Sequence, residues 1–276
     1  LTTAQAQALT STQIPNLGSV GVTALGSLTT ALTTAAVAAM SESQIVVLGP
    51  QVGTALTSTQ ISALGANLLQ SLGTNVQLLT TDQLKAMTTD QIASLYDNQV
   101  SALTTTSFKT LSTDKIAALT TTQLGGLTSG QLANMTSTQV SALTTDQLPT
   151  LRVDQINSFD SGQIPGLTTE QIFALTAEQV QNMGSTQLNL LSSTQLQALE
   201  MSDLQVLTAE QISSLYTANI VKLSADQIAA LTNEQVSAMT TSQFSNLTTT
   251  QIRALTAGQE LAITPEQIAS LKTTQI

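Results

Sequence analysis

The feature that most constrains this chain is an apolar residue that recurs every eight positions. From Leu79 to Leu271 this position holds Leu, Met, Phe or Ile in each of 25 repeats, and the period never slips. Before Leu79 the spacing is less strict, and two seven-residue intervals end at Leu32 and Leu79. We call the recurring apolar residue position 0 of an octapeptide repeat. A chain built in this way must repeat one small structural unit along its length.

Other positions of the octapeptide are almost as regular. Position 1 is mostly Thr or Ser, position 3 is often Asp or Glu, position 5 is Ile, Leu, Val or Phe in nearly all repeats, and position 7 is usually small. Position 4 is Gln in 21 of the 25 repeats from Leu79 onward. The four exceptions are Ser107, Lys115, Asp203 and Asn219. The consensus is L-T-T-(D/E/T)-Q-I-x-A.

The period excludes one long helix and one long strand. An α-helix turns through about 800° over eight residues, so an apolar stripe with this period would drift by about 80° per repeat. In a strand, positions 0 and 5 would lie on opposite faces. Each octapeptide must therefore contain its own bend.

The spacing of Thr at position 1 and Gln at position 4 is typical of a capping box. Acidic residues at position 3 then fall in the first helical turn, where the helix dipole favours them. Thr264 is followed by Pro265 at the first helical position, where the missing N–H costs nothing. We predict a short helix from position 2 to position 7. Proline at position 6, as in Pro15, Pro149 and Pro165, predicts a shorter or irregular helix.

A single octapeptide buries too little apolar surface to offset the entropy of ordering its backbone, so the repeats must stack. We predict an all-α solenoid or superhelix of very short helices, one per octapeptide. The alternative is a β-solenoid with Thr/Gln ladders, which the Thr, Ile and Val content favours. Corners of β-solenoids usually carry Gly, Asn or Asp, whereas position 7 is frequently Ala here. The Gln at position 4 acts either as a cap or in an inter-repeat amide ladder.

No linker interrupts the repeats, and Gly and Pro never cluster into a boundary. We therefore predict one continuous octapeptide-repeat array over residues 1–276, more degenerate in 1–79 and regular in 79–276. In the degenerate part Val52 and Val76 lie one place before position 5, the position that an apolar residue normally occupies.

Composition argues against chemistry and against several classes of partner. The chain has no Cys and no His, so imidazole, thiolate and disulfide are all absent. We expect no enzyme, no cofactor, and no catalytic, cofactor-binding or metal-ligating residue. The net charge of −10 and seven scattered basic residues exclude nucleic acid as the expected partner. No apolar run reaches the length of a membrane span.

A few residues invite a more specific interpretation. The position-3 acids, such as Asp82 and Asp90, are interpreted as a solvated acidic stripe, with weak Ca²⁺ binding by acids eight residues apart as the alternative. Tyr96 and Tyr216 replace the capping Thr and are expected on the surface, where a carbohydrate could stack on them. Core positions are predicted for Phe108, Phe244, Met87, Met135, Met183 and Met239.

Three stretches, Thr88–Ile92, Leu207–Leu215 and Leu223–Leu231, read TTDQI, LTAEQISSL and LSADQIAAL. They resemble the Thr/Gln-rich short tandem-repeat arrays of giant bacterial surface or secreted proteins. The resemblance covers essentially the whole chain. It implies a spacer, a stalk or a filament-forming segment, and it carries over no catalytic residue.

From these observations we expect a structural protein that forms an extracellular filament, sheath or stalk by stacking its repeats, either within a longer chain or end to end between chains. The alternative is a binding module or adhesin whose repetitive surface recognises a glycan or, more weakly, ice. The chain opens with LTTAQAQAL, without an initiator Met or a signal segment, so we expect an internal piece or a processed chain. An extracellular or cell-surface location rests on composition and resemblance alone.

Overall fold

The computed structural model describes residues 1–275 and divides into two compact units, Leu1–Met135 and a second that begins at Thr136. None of the described residues lies in a β-strand, and they form 29 α-helices and six 3₁₀-helices. The all-α prediction is confirmed, and the β-solenoid alternative is wrong.

The first unit contains fourteen α-helices and four 3₁₀-helices. The α-helices are α1 Thr3–Gln7, α2 Gly18–Leu25, α3 Thr34–Ala38, α4 Glu42–Leu48, α5 Val52–Ala55, α6 Ser58–Ser62, α7 Ala66–Gln70, α8 Thr81–Ala86, α9 Thr89–Ser94, α10 Asp97–Ala102, α11 Thr105–Phe108, α12 Thr113–Ala117, α13 Thr121–Gly126 and α14 Ser129–Ala133. The 3₁₀-helices are Ile14–Leu17, Gly26–Ala31, Gly49–Gln51 and Gly73–Leu78.

The second unit contains the remaining fifteen α-helices and two 3₁₀-helices of the described chain. The α-helices are α15 Ser137–Ser141, α16 Val153–Ile156, α17 Thr169–Phe173, α18 Ala177–Gln181, α19 Ser185–Leu190, α20 Ser193–Ala198, α21 Met201–Val206, α22 Ala209–Ser214, α23 Thr217–Ile220, α24 Ala225–Ala230, α25 Asn233–Ala238, α26 Thr241–Ser245, α27 Thr249–Arg253, α28 Ala257–Ala262 and α29 Pro265–Ser270. The 3₁₀-helices are Leu148–Thr150 and Ile164–Gly166.

Helix α9 shows how one octapeptide folds. It occupies positions 2 to 7 of its repeat, as predicted. Thr88 is extended (φ −80°, ψ 165°), and its Oγ1 accepts a hydrogen bond from the Gln91 N–H at 3.1 Å. The Gln91 Oε1 accepts from the Thr88 N–H at 2.8 Å, which completes the capping box. Leu95 is extended again (φ −64°, ψ 148°), so the helix ends and the next repeat begins.

The prolines act as their positions predict. Pro15, Pro149 and Pro165 each lie in a 3₁₀-helix of three or four residues instead of an α-helix. Proline removes a backbone donor and disfavours helical geometry in the residue before it. Pro265 lies at the start of α29 after its cap Thr264, where no backbone donor is lost to the helix.

The core of each unit is built from positions 0 and 5. In the first unit, Leu124 at position 5 of one repeat and Leu127 at position 0 of the next are 0% and 1% exposed. Val52 and Val76, the residues one place early, are also fully buried. Burial confirms the core prediction for Phe108, Phe244, Met87, Met135, Met183 and Met239. The apolar positions of the octapeptide thus face inward along the array.

Within each unit the chain coils back onto itself after three to four repeats. Helix α10 packs against α13, three repeats later, and α25 packs in the same way against α22 and α28. Hydrogen bonds between turns join residues 28 and 31 positions apart, as from Gln123 to Leu95 and Ile92. One turn of the coil therefore takes between three and four octapeptides.

Candidate functional site

The glutamine at position 4 joins two turns of the coil. In the first unit, Gln123 is 1% exposed, and its Oε1 accepts from the Thr120 N–H at 2.8 Å. Its Nε2 donates to the carbonyl oxygens of Ile92 at 2.9 Å and Leu95 at 2.6 Å. The acceptor and both donors of one amide are thereby used.

The second unit repeats this geometry. Gln235 accepts from the Thr232 N–H at 2.8 Å and donates to the carbonyls of Leu204 and Leu207 at 2.8 and 2.6 Å. We call these linked glutamines the glutamine seam. In the second unit the same two-way bonding is made by Gln171, Gln179, Gln187, Gln195, Gln211, Gln227, Gln243, Gln251, Gln259, Gln267 and Gln275.

The glutamine seam provides hydrogen-bond partners for the ends of these short helices. Helix ends leave N–H groups at one terminus and carbonyl groups at the other without partners inside the helix. Each seam glutamine caps the N-terminus of its own helix and the last carbonyls of a helix in the previous turn. The capping role of Gln is confirmed. An amide ladder is wrong, because the acceptors across the turn are backbone carbonyls instead of other glutamine side chains.

Lys115 keeps half of this function. Its Nζ donates to the carbonyls of Leu84 at 3.0 Å and Lys85 at 2.6 Å, so the link between turns is preserved. An ammonium group has no acceptor, so it cannot bond the N–H of the capping residue Ser112 as glutamine does. Burial lowers the pKa of Lys115. The side chain is 7% exposed.

Asn219 is one methylene shorter than glutamine and depends on a second asparagine. Its Nδ2 donates to the backbone oxygen and the Oδ1 of Asn189, both at 3.2 Å. The Tyr216 N–H, which a glutamine at position 4 would bond, donates instead to Asn189 Oδ1 at 2.7 Å. Asn189 thus completes the contact that the shorter side chain leaves open.

Asp203 is the exception that leaves a buried side-chain atom without a hydrogen bond. It is 3% exposed, and its Oδ2 is the one buried side-chain N or O atom without a hydrogen-bond partner among residues 1–275. Burial raises the pKa of Asp203, and the nearby charge of Glu200 raises it further, against a backbone hydrogen bond to Glu200 that lowers it. An ionised carboxylate only accepts, so it cannot donate to carbonyls of the previous turn.

An apolar patch lies on the surface near this repeat. Phe173 is 59% exposed and Met201 is 49% exposed, and both line one cavity of about 500 Å³. Phe173 also lines a neighbouring cavity of about 570 Å³ together with Glu170. The sequence pattern did not predict this exposed apolar patch. The sequence feature that marks it is a large apolar side chain at position 6, Phe173, and at position 2, Met201, where most repeats carry a small or polar residue.

The acidic residues of position 3 lie where the sequence predicted. Exposed side chains are found at Asp82, Asp90, Asp146, Glu170, Glu178 and Glu266. Acidic residues eight positions apart belong to successive repeats, whereas the repeats that stack on one another are three or four repeats apart. Acids eight residues apart, the alternative calcium ligands, therefore do not line up along the stacking direction. Within residues 1–275 no group of three or more carboxylates is arranged to hold a metal ion.

Tyr96 and Tyr216 lie on the surface, as predicted, with 55% and 65% of their area exposed. Each precedes a helix as its N-cap residue without a side-chain capping bond. No helix within residues 1–275 has the length and apolar character of a membrane span.

The repeated caps, the coil and the glutamine seam define a tandem-repeat protein of short helices. A family model described as the ALTTAQ repeat matches residues 196–233 and 213–241. No curated protein sequence matches the chain significantly. The matched region lies in the regular part of the array and includes Asp203, the most unusual position-4 residue.

Proposed function

We propose that the chain is a structural repeat protein that forms an extracellular filament, sheath or stalk by stacking turns of octapeptides. The observation that carries this proposal is the two-way bonding of the seam glutamines, as at Gln235. Every turn offers amide donors to the turn before it and backbone acceptors to the turn after it. Such an array can be extended by any number of turns without a new type of contact.

The two faces of a turn differ, so the stacking contact is heterologous and open-ended. Ile268 shows what one such face presents. It occupies position 5, which is fully buried at Val236, yet 55% of its area is exposed. A further turn would cover this side chain, and either the same polypeptide or a second copy of this chain could supply that turn.

The acidic surface favours growth along the coil over side-by-side association. The position-3 carboxylates are exposed, and the chain carries a net charge of −10. Like charges on neighbouring arrays repel, whereas the stacking faces are built from apolar side chains and uncharged amides. We accordingly propose self-association or neighbouring repeats as the partner, and a role without catalysis because His and Cys are absent.

Electron microscopy of the purified chain at micromolar concentration tests polymerisation. Long filaments with a regular axial repeat are expected. An Ile268→Asp variant places a charge on the uncovered apolar position and should abolish the filaments, whereas Thr241→Asp on the exposed surface should leave them unchanged. A wild-type chain that stays monomeric with a constant sedimentation coefficient at high concentration would exclude polymerisation by this chain and leave the stalk or spacer role.

The extracellular location has a separate test. Cell fractionation of the source organism with an antibody against the array should place the protein in the medium or on the cell surface. Recovery only from the cytoplasm would contradict this part of the proposal and leave the stacking mechanism untouched.

A binding module for glycans is the second candidate function. The exposed ring of Tyr216 favours it, because sugars stack on aromatic faces. The capping hydroxyls weigh against a hydroxyl-based surface, since Thr232 Oγ1 and its equivalents already accept from helix amides. Binding to a glycan panel that is lost in Tyr216→Ala would support this candidate, and thermal hysteresis would support ice binding.

A further inference from the structure

We propose that Asp203 is a protonation-dependent latch between two turns of the second unit. With a proton on its carboxyl group, Asp203 donates to a backbone carbonyl of the previous turn within residues 172–175, as the equally short Asn219 donates to the carbonyl of Asn189. When the proton leaves, this part of the seam loses its donor and loosens.

The repeat register identifies the acceptors. In the preceding repeat Gln195 donates to Ile164 and Leu167, which lie 31 and 28 residues earlier. The same intervals counted back from Asp203 reach Ile172 and Leu175. Asn219, whose side chain has the length of Asp203, donates to a carbonyl 30 residues earlier, and the same interval counted back from Asp203 reaches Phe173.

The chemistry of the other occupants shows what this position requires. Gln, Lys115 and Asn219 donate across the turn from nitrogen, whereas Ser107, the fourth exception, has no side-chain nitrogen. A carboxyl group can donate only when it is protonated. Asp203 Oδ2 is buried and has no partner, so the ionised form leaves a buried charge and supplies no donor to the previous turn.

The charges around Asp203 favour the protonated form. Helix α21 packs against α18 and α24, whose charged residues are Glu178 and Asp226. Glu200 precedes α21 as its N-cap, and Glu170 lies on α17 beside the expected acceptor. All four are acidic. Burial and the charge of Glu200 accordingly raise the pKa of Asp203 above its ordinary value of 3.8.

The direction of the pH effect follows from this shift. The folded chain holds the Asp203 proton more tightly than the unfolded chain, so protonation stabilises the fold. This stabilisation is complete below pH 3.8 and is lost as the pH rises through the elevated pKa of Asp203. The latch is closed in acid and open at higher pH. Its opening loosens the turn that presents Phe173 and the repeat that presents Met201.

Hydrogen exchange of the full chain, followed by mass spectrometry from pH 4 to pH 8 and corrected for intrinsic rates, tests the latch. Wild-type protection of residues 172–176 and 200–206 should be lost as the pH rises, because the folded chain then gives up a proton that it binds more tightly than the unfolded chain does. Asp203→Gln should keep these residues protected throughout. Glu266→Gln removes an exposed carboxylate that is not among the four acids around Asp203 and should keep the wild-type pH dependence.

Two results would overturn the proposal. One is wild-type protection that does not change with pH in these segments. The other is an Asp203→Gln chain with the same pH dependence as wild type. A direct titration of the Asp203 carboxyl carbon by nuclear magnetic resonance provides a check that needs no substitution. An Asp203 pKa at or below 3.8 would also contradict the latch.

Discussion

At the scale of single residues, the preference for glutamine at position 4 follows from the hydrogen bonds that this position must make. The side chain at position 4 has to accept a hydrogen bond from the N–H of the capping residue and to donate two hydrogen bonds to carbonyls of the previous turn. A primary amide supplies both, whereas carboxylate supplies acceptors only and ammonium supplies donors only. Asparagine has the right groups but is too short, and Asn219 accordingly depends on Asn189.

Substitutions at Gln235 separate the two roles. Gln235→Leu should lower the free energy of unfolding by about 3 kcal/mol, because buried carbonyls and a cap lose their partners. Gln235→Lys, which imitates Lys115, should keep the link between turns and cost about 1 kcal/mol. Urea denaturation measures both. The exposed Gln181→Ala is the control, and equal costs for Leu and Lys would contradict the two-way role.

Lys115→Gln should raise the free energy of unfolding by about 1 kcal/mol, because the amide restores the acceptor for the Ser112 N–H. The pH dependence should also change. Burial lowers the pKa of Lys115 from 10.5, so the wild type gains stability as the pH rises from that lowered pKa toward 10.5. Thermal unfolding in alkaline buffers should show this gain in the wild type and not in the variant.

At the scale of the helix, elements of four to eight residues are far too short to be stable alone in water. The capping box was predictable, because Thr and Gln three residues apart satisfy each other locally. The Nε2 bonds were not predictable, because their acceptors lie 28 and 31 residues away and depend on how the coil closes. The shortened helices at Pro149 and Pro165 were predictable from proline geometry alone.

The adjacent threonines of α26 provide a test of the cap. Thr240 Oγ1 accepts from the Gln243 N–H at 3.1 Å, whereas Thr241 is the exposed first residue of the helix. Thr240→Ala should cost about 1 kcal/mol, and Thr241→Ala should be close to neutral. Urea denaturation of the two variants provides the comparison. A larger loss for Thr241→Ala would show that the cap has been assigned to the wrong threonine.

At the scale of the whole molecule, the sequence predicted a stack of short helices but not the number of repeats per turn. That number depends on the angle between successive helices, which the extended residue at position 0 sets, as Leu95 does. The position-4 exceptions were visible in the sequence, but their consequences depend on contacts from the previous turn. Lys115 donates from its ammonium group to carbonyls of the previous turn. The ionised carboxylate of Asp203 has no donor, and its Oδ2 has no partner.

The chain returns onto itself after three to four repeats, and engineered cysteines test this return most directly because the chain has none of its own. Thr217 Oγ1 and Ser242 Oγ lie 3.4 Å apart on turns that are three repeats apart. A Thr217→Cys, Ser242→Cys chain should form an intramolecular disulfide rapidly under mild oxidation. A Thr217→Cys, Glu234→Cys control, which shares the first site but spans two repeats, should not. Rapid bridging in the control and none in the first pair would contradict the coil described here.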